Sequence, residues 1–117
     1  MDVIVNADDL GMNPQINRGI FDLMGLGLVT SATVLANGTD VEAACDQIPG
    51  FPHCSFGVHL NVTEFRPLIH SSKLEPLLDE NGEFERTRIR QVSIDSSLAD
   101  GIFEEFCAFE KFFRVGE

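Results

Sequence analysis

The chain has 117 residues, 44% hydrophobic and 23% charged, enough for one compact domain of ordinary composition. Eight Lys and Arg against nineteen Asp and Glu give a formal net charge of −11. That balance argues against nucleic acid, which is held by basic side chains, and against an anionic membrane surface; a neutral small molecule such as a sugar, or a cation, is left. No apolar stretch reaches membrane-spanning length, and no basic segment leads into an apolar one as a secretory signal would. Cys45, Cys54 and Cys107 are odd in number and widely spaced, which fits free thiols in a reducing cytoplasm.

Residues 2–7 are a β-branched run that predicts a first strand, followed by Asp8 and Asp9. Asn13-Pro14 predicts a helix start, a capping side chain followed by proline at the first helical position. Ile16, Ile20, Leu23 and Met24 recur on one face, and Gly25 and Gly27 end that helix. Residues 29–36 predict a second strand closed by Asn37-Gly38. Thr39-Asp40-Val41-Glu42 has the pattern of a capping box opening a second helix, with Val41, Ala44, Cys45 and Ile48 on its apolar face and Pro49-Gly50 as its stop. Residues 54–60 predict a third strand. The alternation implies an α/β fold with parallel strands and right-handed crossovers.

The stretch 61–92 is polar, contains Pro67, Pro76 and the turn signal Asn81-Gly82, and reads as a long excursion with a short hairpin around residues 79–90. From Ser96 a third helix carries Leu98, Ile102, Phe106, Phe109 and Phe113 as one apolar stripe, a core or interface surface. Glu117 follows that helix where a further strand would be expected. The expected architecture is therefore a partial (β/α) barrel or a very small open sheet. Its phenylalanine stripe would lack part of its cover, which predicts self-association through the last helix.

Parallel sheets bind ligands outside the carboxyl ends of their strands, which is where Asp8, Asp9 and His59 are expected. Two carboxylates that close repel, raising one pKa unless a cation lies between them; one acid can then bind a divalent metal while the other serves as a general base. The competing reading is an ordinary solvated turn for the acids and a hydrogen-bonded structural role for His59. His53 and Cys54 have no zinc-finger spacing with His59 and are read as structural; nothing ties His70 to a site. Asn37 is placed to line the same mouth, while Asn61 and Thr63 are candidates for hydrogen bonds to a sugar or to the groups that surround the ligands of a metal.

Four segments, NADDLGMNPQINRGI, GLVTSATVLANG, FGVHLNVT and LEPLLDENGEF, cover most of residues 4–84. In that order they resemble the YdjC-like family of carbohydrate deacetylases, which includes chito-oligosaccharide deacetylase. The resemblance implies a distorted (β/α) barrel of TIM type, more than twice this length, of which the chain would be the N-terminal half. It implies removal of acetyl groups from N-acetylated sugars or oligosaccharides, with Asp8 as catalytic base and Asp9 and His59 as metal ligands. Asn37, Asn61 and Thr63 would then face substrate. The cofactor implied is a divalent ion, magnesium first, with manganese or zinc as alternatives. The family's further histidine ligand belongs to a stretch beyond the last helix, so the chain is expected to be a truncated, inactive portion. Phe65 stands where the family usually has glycine, and Phe109 where glutamine is expected.

Two readings compete. A receiver domain of signalling proteins shares the length, acidity and acidic pair, but needs an aspartate after the third strand, where His59 stands. A non-enzymatic half-barrel module would use the phenylalanine stripe to dimerise.

Overall fold

The structure, a computed structural model, describes residues 2–114. The sequence-predicted end of the last helix, in Arg114-Val115-Gly116, lies outside the described residues after Arg114. The chain divides into two compact units after His59.

The first unit contains β1 (Asn6–Leu10), α1 (Pro14–Gly25), β2 (Ser31–Val34), α2 (Val41–Gln47) and β3 (Ser55–Val58), with one 3-10 turn at Ile48–Gly50. The three strands are parallel in the order β1-β2-β3. Neighbouring parallel strands joined in chain order through α1 and α2 are the arrangement of successive βαβ units. A receiver domain orders its first three strands 2-1-3, so this topology excludes that alternative. The three strands do not close on themselves.

The helix signals acted as read at α1. Asn13 is its N-cap and accepts from Ile16 N–H at 2.8 Å, Pro14 opens the helix, and Gly27 follows in the left-handed region at φ 73°. The capping box did not form at α2. Asp40, not Thr39, is the cap residue and gives no side-chain cap bond; its carboxylate accepts from Asn17 Nδ2 at 2.9 Å, while the Thr39 hydroxyl donates to Met12 O at 2.7 Å. The core of this unit is Leu10, Ile20, Phe21, Met24, Ala32, Val34, Leu35, Val41 and Ala44, all buried. Ala32 and Val34 alternate with Ser31 and Thr33, so one face of β2 is apolar and the other polar.

β1 departs from expectation. The predicted strand was 2–7, but Val3 and Ile4 are exposed and pairing runs from Asn6 to Leu10. The carboxylates therefore lie inside the strand, not behind it. Between Ala7 and Leu10 the register slips, so three steps on β1 match two on β2: a β-bulge, with Asp9 in the left-handed region at φ 72°. Glycine is required where the loops after β1 and β2 cross. Gly11 O accepts from Asp40 N at 2.9 Å, and a Cβ on Gly38 would overlap that same carbonyl.

The second unit contains a 3-10 helix at Ser72–Leu77, α3 (Arg88–Gln91) and α4 (Ser96–Phe112). The predicted hairpin exists as one antiparallel bridge, Leu78 to Phe84, closed by the turn in which Gly82 N donates to Asp79 O at 3.1 Å. Leu74, Leu77, Phe84 and Leu98 form its core, with Val62, Ile69, Ile89 and Ile102 packed around them. The excursion is therefore a folded body with its own apolar centre.

The face that α4 buries differs from the predicted stripe. Leu98 and Phe109 are buried as expected, but Gly101 and Glu105 share that face, while Ile102 and Phe106 are only half-buried and Phe103 is exposed. Gly101 lets α4 approach the 3-10 helix, where an added Cβ would lie 2.9 Å from Lys73 Cβ. Glu105, 0% exposed, accepts from Leu68 N at 2.9 and 2.8 Å and from Ile69 N at 3.0 Å.

Phe65 has φ 66°, a left-handed conformation that a side chain makes costly by about 1–2 kcal/mol. The same residue was singled out in the sequence for standing in place of a family glycine. Phe65→Gly is expected to be about 1 kcal/mol more stable than Phe65→Ala in urea denaturation, because both remove the ring and only glycine relieves the backbone. Equal stability of the two variants would show that the site carries no strain.

Candidate active site

The bulge in β1 decides the site. Neighbouring side chains on a regular strand point to opposite faces. The extra residue and the positive φ at Asp9 bring Asp8 and Asp9 to the same end of the sheet. Asp8 Oδ1 accepts from the Thr33 hydroxyl at 2.8 Å. Thr33 Oγ1 lies 3.2 Å from His59 Nδ1, and Asp9 Oδ1 lies 3.3 Å from the same nitrogen. His59 itself is placed by the ladder, its N–H donating to Val34 O at 2.9 Å just beyond β3. The three residues picked out in the sequence thus converge through one threonine that was not.

Proton inventory assigns the contacts. A carboxylate only accepts, so the single Thr33 proton goes to Asp8. Thr33 Oγ1 and Asp9 Oδ1 are then both acceptors toward His59 Nδ1, which carries the hydrogen when no cation is bound. Asp9 and His59 keep 41% and 31% of their side-chain surface exposed, so the pair is open to solvent and to a ligand.

The donor set partly fits a divalent ion. An oxygen and a nitrogen 3.3 Å apart match two ligands of one ion held about 2.1 Å from each. Among the described residues, however, no group of three His, Cys, Asp or Glu side chains has metal-binding geometry. The structure thus brings together two donors and an adjacent carboxylate.

The other sequence candidates are placed as follows. Asn37 lies beyond β2 and is buried. Asn61 is buried in the second unit and organises its own turn: its Oδ1 accepts from Thr63 N at 3.0 Å, Thr63 Oγ1 at 2.9 Å and Glu64 N at 3.2 Å. Those bonds make Asn61 and Thr63 a local brace. His53 and His70 are exposed, and neither belongs to the Asp9–His59 group. Cys45, Cys54 and Cys107 are all free, and burial raises the Cys45 thiol pKa, with help from the Asp46 and Glu42 charges, so this thiol is kept protonated.

Sequence reasoning missed the polar face around the acids. Asn6 Nδ2 donates to Asp8 Oδ1 at 2.9 Å, and Ser31 Oγ donates to Asn6 Oδ1 at 2.8 Å. The signal was present: Asn6, Asp8, Ser31 and Thr33 stand at alternate positions on paired strands. Parallel sheets are usually apolar on both faces, so a polar row on the inner strand β2 marks a surface with another purpose.

Three parallel strands in chain order thus bring paired acids and a histidine to one end of a sheet, and comparison specifies the family. The family model described as YdjC-like protein matches residues 2–115, and the chain belongs to that family. A carbohydrate deacetylase of Geobacillus stearothermophilus is 38% identical over 114 residues, covering 97% of this chain and 44% of that protein. A chitooligosaccharide deacetylase of Yersinia pestis is 32% identical over 114 residues, again covering 97% and 44%. A crystal structure from Enterococcus faecalis, named as a candidate cellobiose-phosphate cleavage protein, is 27% identical with a TM-score of 0.76, over 93% of this chain and 43% of that one. The chain spans about half the length of the curated relatives it matches.

Proposed function

We propose that this chain carries the metal-and-base end of a carbohydrate deacetylase that removes acetyl groups from N-acetylated sugars or oligosaccharides. The observation that carries the reading is that Asp8 and His59 meet on Thr33 and that Asp9 joins them through His59 Nδ1. The relatives' names point the same way.

Asp9 and His59 would hold the ion, for which magnesium is our first choice and manganese or zinc the alternatives. Bound there, a divalent cation supplies Lewis-acid polarisation of an acetamide carbonyl and acidifies a coordinated water. Asp8 takes the proton from the attacking water and so acts as general base. Asn37, Asn61 and Thr63 are our candidates for hydrogen bonds to the sugar; the Thr63 oxygen keeps acceptor capacity after donating to Asn61. We further propose that the sheet is the opening part of a (β/α) barrel. The 117 residues alone, with two donors for the ion, would then hydrolyse no substrate appreciably.

The non-enzymatic alternative draws on the exposed Phe103 of α4, and self-association through that helix belongs to our proposal. Sedimentation as a clean monomer would remove it. No helix among the described residues is long and apolar enough to cross a membrane, and three free thiols support a cytoplasmic setting.

The test is acetate release from N-acetylglucosamine oligomers by the full-length protein. Release that stops with a chelator and returns with magnesium is expected. No release with any divalent ion would overturn the reading.

A further inference from the structure

The polar row on β1 and β2 ends on one atom. Asp8 Oδ1 receives two hydrogen bonds, from Asn6 Nδ2 at 2.9 Å and from the Thr33 hydroxyl at 2.8 Å. An ionised carboxylate oxygen has about two acceptor sites, so Oδ1 is filled. The Asn6 amide has one workable orientation, since turning it over would aim its carbonyl at a carboxylate. With the amide so oriented by Asp8, the Ser31 hydroxyl donates to Asn6 Oδ1 at 2.8 Å and anchors its other end. Ser31 and Asn6 are directly paired across the parallel ladder, so the backbone register holds the chain of donors. Thr33 approaches from the other side, on the strand between the acids and His59.

We infer that Asn6, Ser31 and Thr33 are positioning residues that fix the rotamer of Asp8 and occupy its Oδ1, leaving Oδ2 as the single oxygen that takes the proton. This rests on the deacetylase reading for its functional meaning and on the hydrogen bonds alone for its geometry. A carboxylate free to rotate offers its basic lone pair in many directions, and holding one direction raises the rate without tightening substrate. The donors are neutral amide and hydroxyl groups, so they aim the acid without cancelling its charge. The side-chain hydrogen bonds of Asn6 run to Asp8 and Ser31, which separates base positioning from metal binding.

Steady-state kinetics of the full-length protein on an N-acetylglucosamine disaccharide, with calorimetry of manganese binding, tests this. Asn6→Ala and Thr33→Val are each expected to lower kcat about tenfold with KM within about twofold, and Thr33→Ser to recover most of the loss. Manganese affinity of Asn6→Ala should match wild type. Unchanged kcat, a change confined to KM, or Thr33→Ser as slow as Thr33→Val would overturn the inference. If Thr33→Val does not fold, Asn6→Ala carries the kinetic test. Crystal structures supply a readout independent of turnover: one Asp8 rotamer in wild type and several in the Asn6→Ala/Thr33→Val pair. An inactive wild type would sink the deacetylase reading while the rotamers still decide the network. A single unmoved rotamer in the double variant would overturn the network whatever the activity.

Discussion

His59→Ala in the full-length protein is expected to lower acetate release at least about a thousandfold, the scale of losing a metal ligand together with its electrostatic stabilisation. His59 is the one imidazole of the Asp9 group, with Nδ1 3.3 Å from Asp9 Oδ1. Its removal takes away the nitrogen donor beside Asp9, and a site short of one ligand holds a divalent ion more weakly against water. Calorimetry should therefore show divalent-metal affinity falling in parallel. The fold should survive, because His59 ends the strand ladder through its backbone N–H, which alanine retains. Activity near wild type would refute both its role and the shared site with Asp9. Loss of activity with unchanged metal affinity would move His59 from ion binding to proton transfer.

Glu105→Ala is expected to destabilise the protein by about 3 kcal/mol, read as a lower urea midpoint with an unchanged slope. The side chain is fully buried, and both its oxygens accept backbone N–H groups of Leu68 and Ile69. Alanine orphans those donors and leaves a cavity beside α4, and the two effects add. Loss of less than about 1 kcal/mol would mean that water replaces the carboxylate. The same residue gives a pH signature. Burial raises the Glu105 pKa above 4.5, and the hydrogen bonds from Leu68 and Ile69 offset only part of that rise. A folded-state pKa above the unfolded one favours the protonated native form. Its stabilisation is complete below pH 4.5 and is lost as the pH rises through the folded value. Glu105→Gln keeps an acceptor and cannot ionise. The stability of wild type relative to Glu105→Gln should therefore fall with rising pH over that window, while other carboxylates cancel in the difference. A flat difference would show that the hydrogen bonds compensate burial completely.

Much of the site was legible because strand ends and motif residues are local signals. The run before the acids, the Asn13-Pro14 start and the Gly57-Val58-His59 strand end named the three side chains that meet. Which face of α4 is buried was not legible. A stripe of phenylalanines outweighs one glutamate in any hydrophobic count, yet the Leu68 and Ile69 N–H groups supply the partners that let Glu105 be buried. The cap at α2 went unread for a related reason: Asn17, remote in sequence, supplies the partner that the Asp40 carboxylate takes.

The sequence by itself determined the alternation of elements, the acidic surface, the family and the chemical kinds of residue at the site. Those follow from periodicity, composition and short motifs, each read within a few consecutive residues. Tertiary structure alone decided that a bulge inside β1, not a turn after it, brings Asp8 and Asp9 to the sheet end where they were expected, because only pairing against β2 reveals the slip that turns Asp9. It also decided that Asn6, Ser31 and Thr33 converge on Asp8. Hydrogen bonds between residues twenty-five positions apart depend on strand register, which has no local signature in the chain.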